Sequence, residues 1–462
     1  MSNHIRLRKG LNVPLKGEAK AQISKTISPG VVAVKPTDFK GFNPRLIVKE
    51  GDQVQAGTPL LIHKQNPNIR LCSPVSGKVQ GIIRGAKRKL LAVTVEVDGK
   101  NQYINFETPN PRKSTKEEII ETLTQSGLWL ALKQRPYGTF ADPTASPKAI
   151  FISGFDSSPL APNLDFALKN EIENIQLGIE ILSKLTTGGI HISLHRSSYA
   201  SSPFHKLDKA IIHTFEGPHP AGNVGVQIHH ISPINKGETV WTIDMHSIAA
   251  IGKLFSKGVY DIRKTIAITG PRAENPSYIE TIPGMCMSQI DSYVAKEISP
   301  KESPSGENLP VRYISGNALT GDNVQANGYL GFFHNQITLL SEGNYYEMLG
   351  WIKPMRLKKF STSRSYFSWL FPKKKYKLDT NLNGGERALV MTGVYENVTP
   401  MDIYPMYLIK AIMAQDIDQM EALGIYEVIE EDLALCEFVC PSKTEIQHIL
   451  AQGIELMIKE MS

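Results

Sequence analysis

The sequence predicts a multidomain α/β protein, and three observations carry that expectation. Short alternating runs between glycine turns open the chain, apolar strands alternate with helical stretches through its middle, and helical stretches close it. Its 462 residues are 41% hydrophobic and 21% charged, which is too apolar for disorder and too mixed for a fibrous protein. At roughly 100–200 residues per domain, two to four domains are expected, each large enough to bury a core.

The same arithmetic excludes several classes. No stretch approaches ~18 consecutive apolar residues, so no helix is expected to span a bilayer. The opening MSNHIRLRKG lacks the apolar region of a signal peptide. Four cysteines are too few for a disulfide scaffold and suit a reducing compartment, so a soluble, cytoplasm-facing chain is expected. Charge is segregated: residues 1–107 hold 18 Lys/Arg against 7 Asp/Glu, residues 353–377 hold nine cations and no acid, and 378–462 hold 4 cations and 15 acids. Such segregation marks surfaces that meet other surfaces. Neither zinc-finger spacing nor an RNA-recognition aromatic motif is present, and no nucleic-acid partner is expected.

The first pattern is Val48-Lys-Glu-Gly51-Asp52-Gln-Val54-Gln-Ala-Gly57, followed by Ser73-Pro-Val-Ser-Gly77-Lys-Val79. Glycine turns between short alternating runs read as hairpins. Over about residues 25–100 this resembles the biotinyl/lipoyl-like barrel-sandwich module, and a domain over 1–107 is expected. Ile62-His-Lys64-Gln-Asn-Pro67 lacks the Met-Lys-Met or Asp-Lys-Ala setting of a modified carrier lysine, so Lys64 reads as a surface lysine.

Ser114-Thr-Lys-Glu117 fits a capping box and opens the next domain, 108–260. Apolar runs at Ala149–Ser153, Ile190–Leu194 and Ala210–Thr214, with a helix-like run between Ala167 and Leu185, predict a mainly parallel sheet covered by helices. The layout is Rossmann-like, without G-x-G-x-x-G or G-x-x-x-x-G-K-[ST]. From Lys264 to Leu340, strands around a short helical stretch at Ser288–Val294 predict a β-grasp, SLBB-like unit over 261–352, interrupted by a turn-rich loop at Ser299–Asn308. After the basic segment 353–377, a helical domain over 378–462 is expected, with Thr399-Pro400 and Ser442-Lys-Thr-Glu445 as helix starts.

Several strings coincide with one family. Gly51-Asp52-x-Val54, Ser76-Gly77-Lys78-Val79, Arg84-Gly-Ala-Lys-Arg88 and Ile152-Ser-Gly-Phe-Asp-Ser-Ser-Pro-Leu-Ala-Pro-Asn163 resemble the NqrA subunit of the Na+-translocating NADH:quinone reductase, as do Gly217-Pro-His-Pro-Ala-Gly222 and Leu435-Cys-Glu-Phe-Val-Cys-Pro441. The resemblance implies a peripheral subunit on the cytoplasmic face of a bacterial inner membrane. Its complex couples NADH oxidation and ubiquinone reduction to Na+ export. It implies partners among the other subunits, the membrane subunits above all, and quinone as a ligand. That family is also similar to the C subunit of the Rnf complex and to the NADH-binding flavin subunit of complex I. Those relatives hold FMN, NADH and an iron–sulfur cluster, whereas this chain has no glycine-rich flavin loop and no closely spaced cysteine run. No redox cofactor of its own is therefore expected, with flavins and iron–sulfur clusters in other subunits and the isolated chain not catalytic. A stand-alone dinucleotide-dependent oxidoreductase and a barrel-sandwich adaptor or carrier are the competing readings.

Four features compete as sites. Cys436 and Cys440 match the end of a ferredoxin motif, but Cys72 and Cys286, the other two cysteines, fall in different predicted domains, so buried, metal-free thiols are expected. The loop Gly217-Pro218-His219-Pro220-Ala-Gly222 is dense enough in glycine and proline to hold an irregular backbone close to a flat ligand. It reads either as a quinone-binding wall with His219 as donor or as a rigid domain-joining turn. His229-His230 is expected on a strand, with the two rings on opposite faces, so the pair cannot form one metal site by itself and reads as packing histidines. In 353–377, Trp369 and Phe371 interleave with cations that include Lys373, Lys374 and Lys375, which suits docking to a membrane partner.

Overall fold

In the computed structural model, which describes residues 4–295, 297, 308–350 and 356–461, the apolar runs of the middle domain form a parallel sheet. Its order is His4–Arg6, Ala210–Glu216, Ile190–His195, Ile150–Ser153, Val240–Thr242, Lys133–Arg135 and Thr139–Phe140. The first five run parallel and the last two form an antiparallel hairpin on the edge. Both faces are covered. Ile150, Ile152 and Ile192 pack under helices Ile172–Leu182 and Met245–Lys257, while Phe151 and Val240 pack on Ile228 of helix Val224–Ile231. This double burial is why the strands read as unbroken apolar runs. The two covering helices cross at glycines: a Cβ on Gly252 would lie 1.9 Å from the Asn174 carbonyl oxygen, and one on Gly178 would lie 2.4 Å from that of Ile248.

The sandwich pairs a four-stranded sheet (Val31–Val34, Leu90–Val97, Gly77–Arg84, Gln53–Val54) with a three-stranded one (Pro44–Leu46, Pro59–His63, Arg70–Cys72) around Val32, Leu60, Leu61, Val79 and Val93. Gly51 and Gly57 both sit at φ +96°, the left-handed backbone that their turns require. Lys64 is exposed. The residues ahead of the sandwich join other sheets: His4–Arg6 extends the parallel sheet, and Lys20–Thr26 pairs with Ser277–Thr281.

That second pairing belongs to a mixed sheet in the order Asp322–Asn323, Val311–Ser315, Gln336–Ser341, Lys264–Thr269, Ser277–Thr281, Lys20–Thr26. The turn-rich stretch expected at 299–308 lies, but for its last residue, outside the described residues, as do 353–355. The C-terminal part is helical, with Val394–Val398, Pro405–Met413, Ile417–Ala422, Ala434–Val439 and Ile446–Met461 around Met406, Ile409, Leu450 and Ile454.

Several expected helix starts are displaced. The capping box is one residue later than expected: Thr115 Oγ1 accepts from the Glu118 N–H, and the Glu118 carboxylate accepts from the Thr115 N–H. Thr399 closes a helix instead of opening one, its hydroxyl donating to the Tyr395 carbonyl, and the next helix starts at Pro405. Ser442 donates to the Ala388 carbonyl, and the start of the last helix is satisfied by the Glu437 carboxylate at 2.9 Å from the Gln447 N–H. The stretch with His229 and His230 is helical, not a strand, because Val224, Gln227, Ile228 and Ile231 bury one helical face.

Candidate functional site

The four parallel strands of the middle domain, numbered along the chain, lie in the order 3-2-1-4, so their connections diverge between Ile150–Ser153 and Val240–Thr242. In open α/β sheets a ligand crevice forms beyond the carboxyl ends of the strands at such a point. A cleft of ≈ 770 Å³ lies there, where all parts of the chain meet. The sandwich contributes Lys35 and Asp38; the parallel sheet contributes Phe155, Asp156, Ser158, His219, Gly222, Asp244 and His246. The mixed sheet supplies Phe332, Phe333, His334 and Gln336, and the helical part supplies Glu430 and Glu431.

Most charges in this wall are paired. Lys35 meets Asp38 at 3.0 Å, Lys40 meets Glu430 at 2.5 Å, and Arg135 meets Asp432 at 2.6 Å and Glu431 at 2.7 Å. Lys133 has no carboxylate within ion-pair distance among the described residues; its ammonium lies 3.7 Å from the centroid of the Phe333 ring. Burial lowers the Lys133 pKa and raises that of Asp156, so both side chains are drawn toward their neutral forms. His219 is buried, its Nδ1 3.1 Å from the Ser157 hydroxyl, and burial brings its pKa down to about 4, leaving the ring neutral at physiological pH. Ser157 Oγ also accepts from the Gly222 N–H at 2.7 Å, tying the loop to the strand end. The buried hydroxyl of Ser158 and the buried Gln336 Oε1 have no protein partner and border the cleft. The wall is thus polar, largely charge-compensated and backed by aromatic rings.

Of the loop singled out in the sequence, His219 and Gly222 line the cleft, whereas Gly217, Pro218 and Pro220 are not part of its lining. Gly217 packs on Leu7, where a Cβ would lie 2.8 Å from the Leu7 Cβ. The loop therefore joins elements and lines the cleft at once. His229 and His230 are packing groups, as expected, but on a helix with rings 5.1 Å apart: His229 contacts the Glu427 carboxylate at 2.6 Å, and His230 the Pro400 carbonyl at 2.8 Å. Cys436 and Cys440 are buried beside the Thr399 hydroxyl (3.2 Å) and the Tyr395 hydroxyl (2.9 Å). No group of three or more His, Cys, Asp or Glu placed for a metal ion occurs among the described residues. Trp369, Phe371, Lys373, Lys374 and Lys375 are all exposed, and none of them lines the cleft.

Lys133, Arg135, Asp156, His246 and His334 escape a reading by motifs, because they stand alone in the sequence and meet only through tertiary packing. Asp156 alone carried a signal, lying within the Ile152–Asn163 string just past a strand end.

Burial also holds His213 and His246 at about 4. For His213, His219 and His246 the folded pKa lies below the ordinary histidine value of 6.5, so the unfolded chain binds more protons in that window. Stability is therefore expected to fall as pH drops from about 6.5 toward about 4, read as a falling urea midpoint. A His219→Asn variant should show a shallower slope; an identical slope would mean that His219 titrates normally.

A sandwich, a doubly covered parallel sheet and a small mixed sheet closing on helices around a switch-point cleft define a multidomain α/β protein whose parts share one cleft. Residues 5–98 match the family model for the NqrA N-terminal barrel-sandwich hybrid domain, 114–260 that for the NqrA second alpha/beta domain, and 265–326 that for the NQRA C-terminal domain. The corresponding subunit, NqrA, of the Na(+)-translocating NADH-quinone reductase of Neisseria meningitidis serogroup A is 38% identical over 460 residues, 99% of this chain and 100% of that relative. Its counterpart in Pasteurella multocida is 37% identical (99% and 100% covered), and that in Yersinia pestis is 36% identical (96% and 97% covered). The chain belongs to the NqrA family of Na+-translocating NADH-quinone reductase subunits.

Proposed function

We propose that this chain works as a peripheral subunit of an Na+-translocating NADH:quinone reductase, on the cytoplasmic face of the membrane, and that its switch-point cleft takes the quinone head group. The observation that carries the cleft assignment is the pairing of neutral-leaning polar groups with aromatic walls: His219, Asp156 and the unpaired Lys133 face the space that Phe155, Phe332 and Phe333 border. A quinone ring is flat and uncharged with two carbonyl acceptors, so it asks for donors at its edges and apolar contact on its faces. A dinucleotide phosphate is less well served. The Asp244 carboxylate caps the Met245–Lys257 helix through the Ser247 N–H at 3.1 Å, taking up part of the N-terminus that would face an anion. This disfavours the stand-alone dinucleotide oxidoreductase, and the exposed, unflanked Lys64 disfavours a carrier.

No redox cofactor is assigned to this chain, and its thiols support that reading: Cys72, Cys286, Cys436 and Cys440 are free, and Cys72 lies in a different core from Cys436 and Cys440. The three β-containing parts are read as biotinyl/lipoyl-like, Rossmann-like and β-grasp, the last extended by Lys20–Thr26. Among the described residues no helix is long and apolar enough to cross a membrane, so attachment is assigned to membrane subunits of the complex, through Trp369, Phe371 and Lys373–Lys375. A photoreactive quinone analogue in the assembled complex is expected to label 153–158, 219–222 or 242–246 of this chain. Labelling confined to other subunits would remove the quinone from this cleft.

A further inference from the structure

Residues 345–350 and 356–383 form a lobe laced by its own polar contacts. Glu347 pairs with Arg356 and with Lys359 (3.0 Å), the Tyr345 hydroxyl donates to Asp379 at 2.7 Å, and the Tyr366 hydroxyl donates to the Gly350 carbonyl at 3.2 Å. Tyr376 moors the lobe to the N-terminal stretch: its carbonyl accepts from the Lys16 N–H at 2.8 Å and its N–H donates to the Pro14 carbonyl at 2.7 Å. With its polar groups satisfied inward, the lobe turns apolar side chains out. Met348, Leu357, Phe367, Trp369, Leu370 and Phe371 are each between 42% and 69% exposed. Phe367–Leu370 is a single 3₁₀ turn that places two aromatic rings and a leucine outside, with Phe371 next to it.

The surrounding charge is of one sign. Lys358, Arg364, Lys373, Lys374 and Lys375 are exposed, and residues 353–377 contain no acid. Of these cations, Lys375 is paired, with Glu18 at 2.5 Å. A protein partner for so apolar a patch would call for a groove or a regular face that fixes each anchor in a pocket. Rings standing out from an irregular turn, fringed by lysines, need no such complementarity to enter a bilayer surface. There aromatic and leucine side chains settle at the headgroup boundary and cations meet the phosphates.

We propose that this lobe rests directly on lipid: Phe367, Trp369, Leu370 and Phe371 enter the headgroup region of an anionic bilayer, and Arg364, Lys373 and Lys374 sit on its phosphates. This keeps the segment of the docking assignment above but gives it lipid in place of a membrane subunit, and it is independent of the quinone assignment. The full chain is expected to float with vesicles of phosphatidylcholine plus phosphatidylglycerol and much less with phosphatidylcholine alone. At about fivefold per basic residue, Lys373→Gln and Lys374→Gln together should lower partitioning at low salt by about twenty-five-fold. Trp369→Ser with Phe371→Ser should lower it at every salt concentration, because apolar contact is not screened. Lipid brominated along its acyl chains should quench the fluorescence of the parent chain more than that of Trp369→Phe, a variant that keeps an aromatic ring. A parent chain that ignores anionic vesicles, or variants that bind like the parent, would overturn the proposal. Should the variants instead lose only retention in salt-washed membranes that hold the complex, docking stands and its partner is protein, not lipid.

Discussion

Replacing Arg135 with Met is expected to destabilise the chain by about 3–5 kcal/mol, the cost of breaking a buried ion pair from one side. Arg135 is 1% exposed, and its guanidinium bridges Asp432 and Glu431, the former side chain also fully enclosed. Its loss would leave the Asp432 carboxylate buried with only the Ile429 N–H at 3.0 Å to stabilise it. The contact joins the edge hairpin of the parallel sheet to the helical part, and Gly225 is small because a Cβ there would lie 2.5 Å from both the guanidinium and the Asp432 carboxylate. A guanidinium chloride titration followed by far-UV circular dichroism reads the effect. Adding Asp432→Leu should recover much of the loss, since an apolar pair in place of a buried ion pair is often neutral. A single-variant change under about 1 kcal/mol would show that water reaches the pair.

The second large effect is expected at Gly222. A Cβ at this position would lie 2.5 Å from the Ser157 nitrogen and 2.9 Å from its hydroxyl, and the nitrogen is backbone that cannot swing aside. Gly222→Val should push residues 156–158 off the loop and part the Ser157 hydroxyl from His219. Overpacking of this kind costs about 1–3 kcal/mol, so the chain should still fold. Quinone-analogue labelling of the cleft should nevertheless drop at least about tenfold, a factor that 1.4 kcal/mol suffices to produce. Labelling at the parental level in a folded variant would place the quinone away from this wall.

The elements themselves were largely legible. Three strands of the middle domain, Ile150–Ser153, Ile190–His195 and Ala210–Glu216, fall within one or two residues of the apolar runs, because burial on both faces leaves an unbroken signal, whereas the short strand Val240–Thr242 and the edge hairpin carry no such run and were not anticipated. Helix starts were less legible. A Ser or Thr hydroxyl caps whichever backbone group it meets, and for Thr399 and Ser442 that group is a carbonyl outside the helix expected to follow. For His229 and His230, the helical spacing of Val224, Ile228 and Ile231, which pack against one core, spans too short a segment to be told from a strand. The cleft was legible at His219 and Gly222, where unusual residues stand close together, and at Asp156 only through the string that holds it. Its other walls come from Lys35 to Gln447, and no local pattern announces side chains brought together from such distances.

The N-terminal stretch constrains the timing of biosynthesis. His4–Arg6 must wait for Ala210–Glu216 and Lys20–Thr26 for Ser277–Thr281 before either can pair, although both leave the ribosome ahead of the sandwich that follows them. At about 5–20 residues per second the second wait lasts on the order of tens of seconds. During that interval the sandwich can close while its leading segment stays unpaired, a strand-forming tether available to any nascent edge nearby. The cationic and polar content of Lys20-Ala-Gln-Ile-Ser-Lys-Thr26, with one aliphatic residue larger than alanine, suits a segment that must remain solvated until its partner is made.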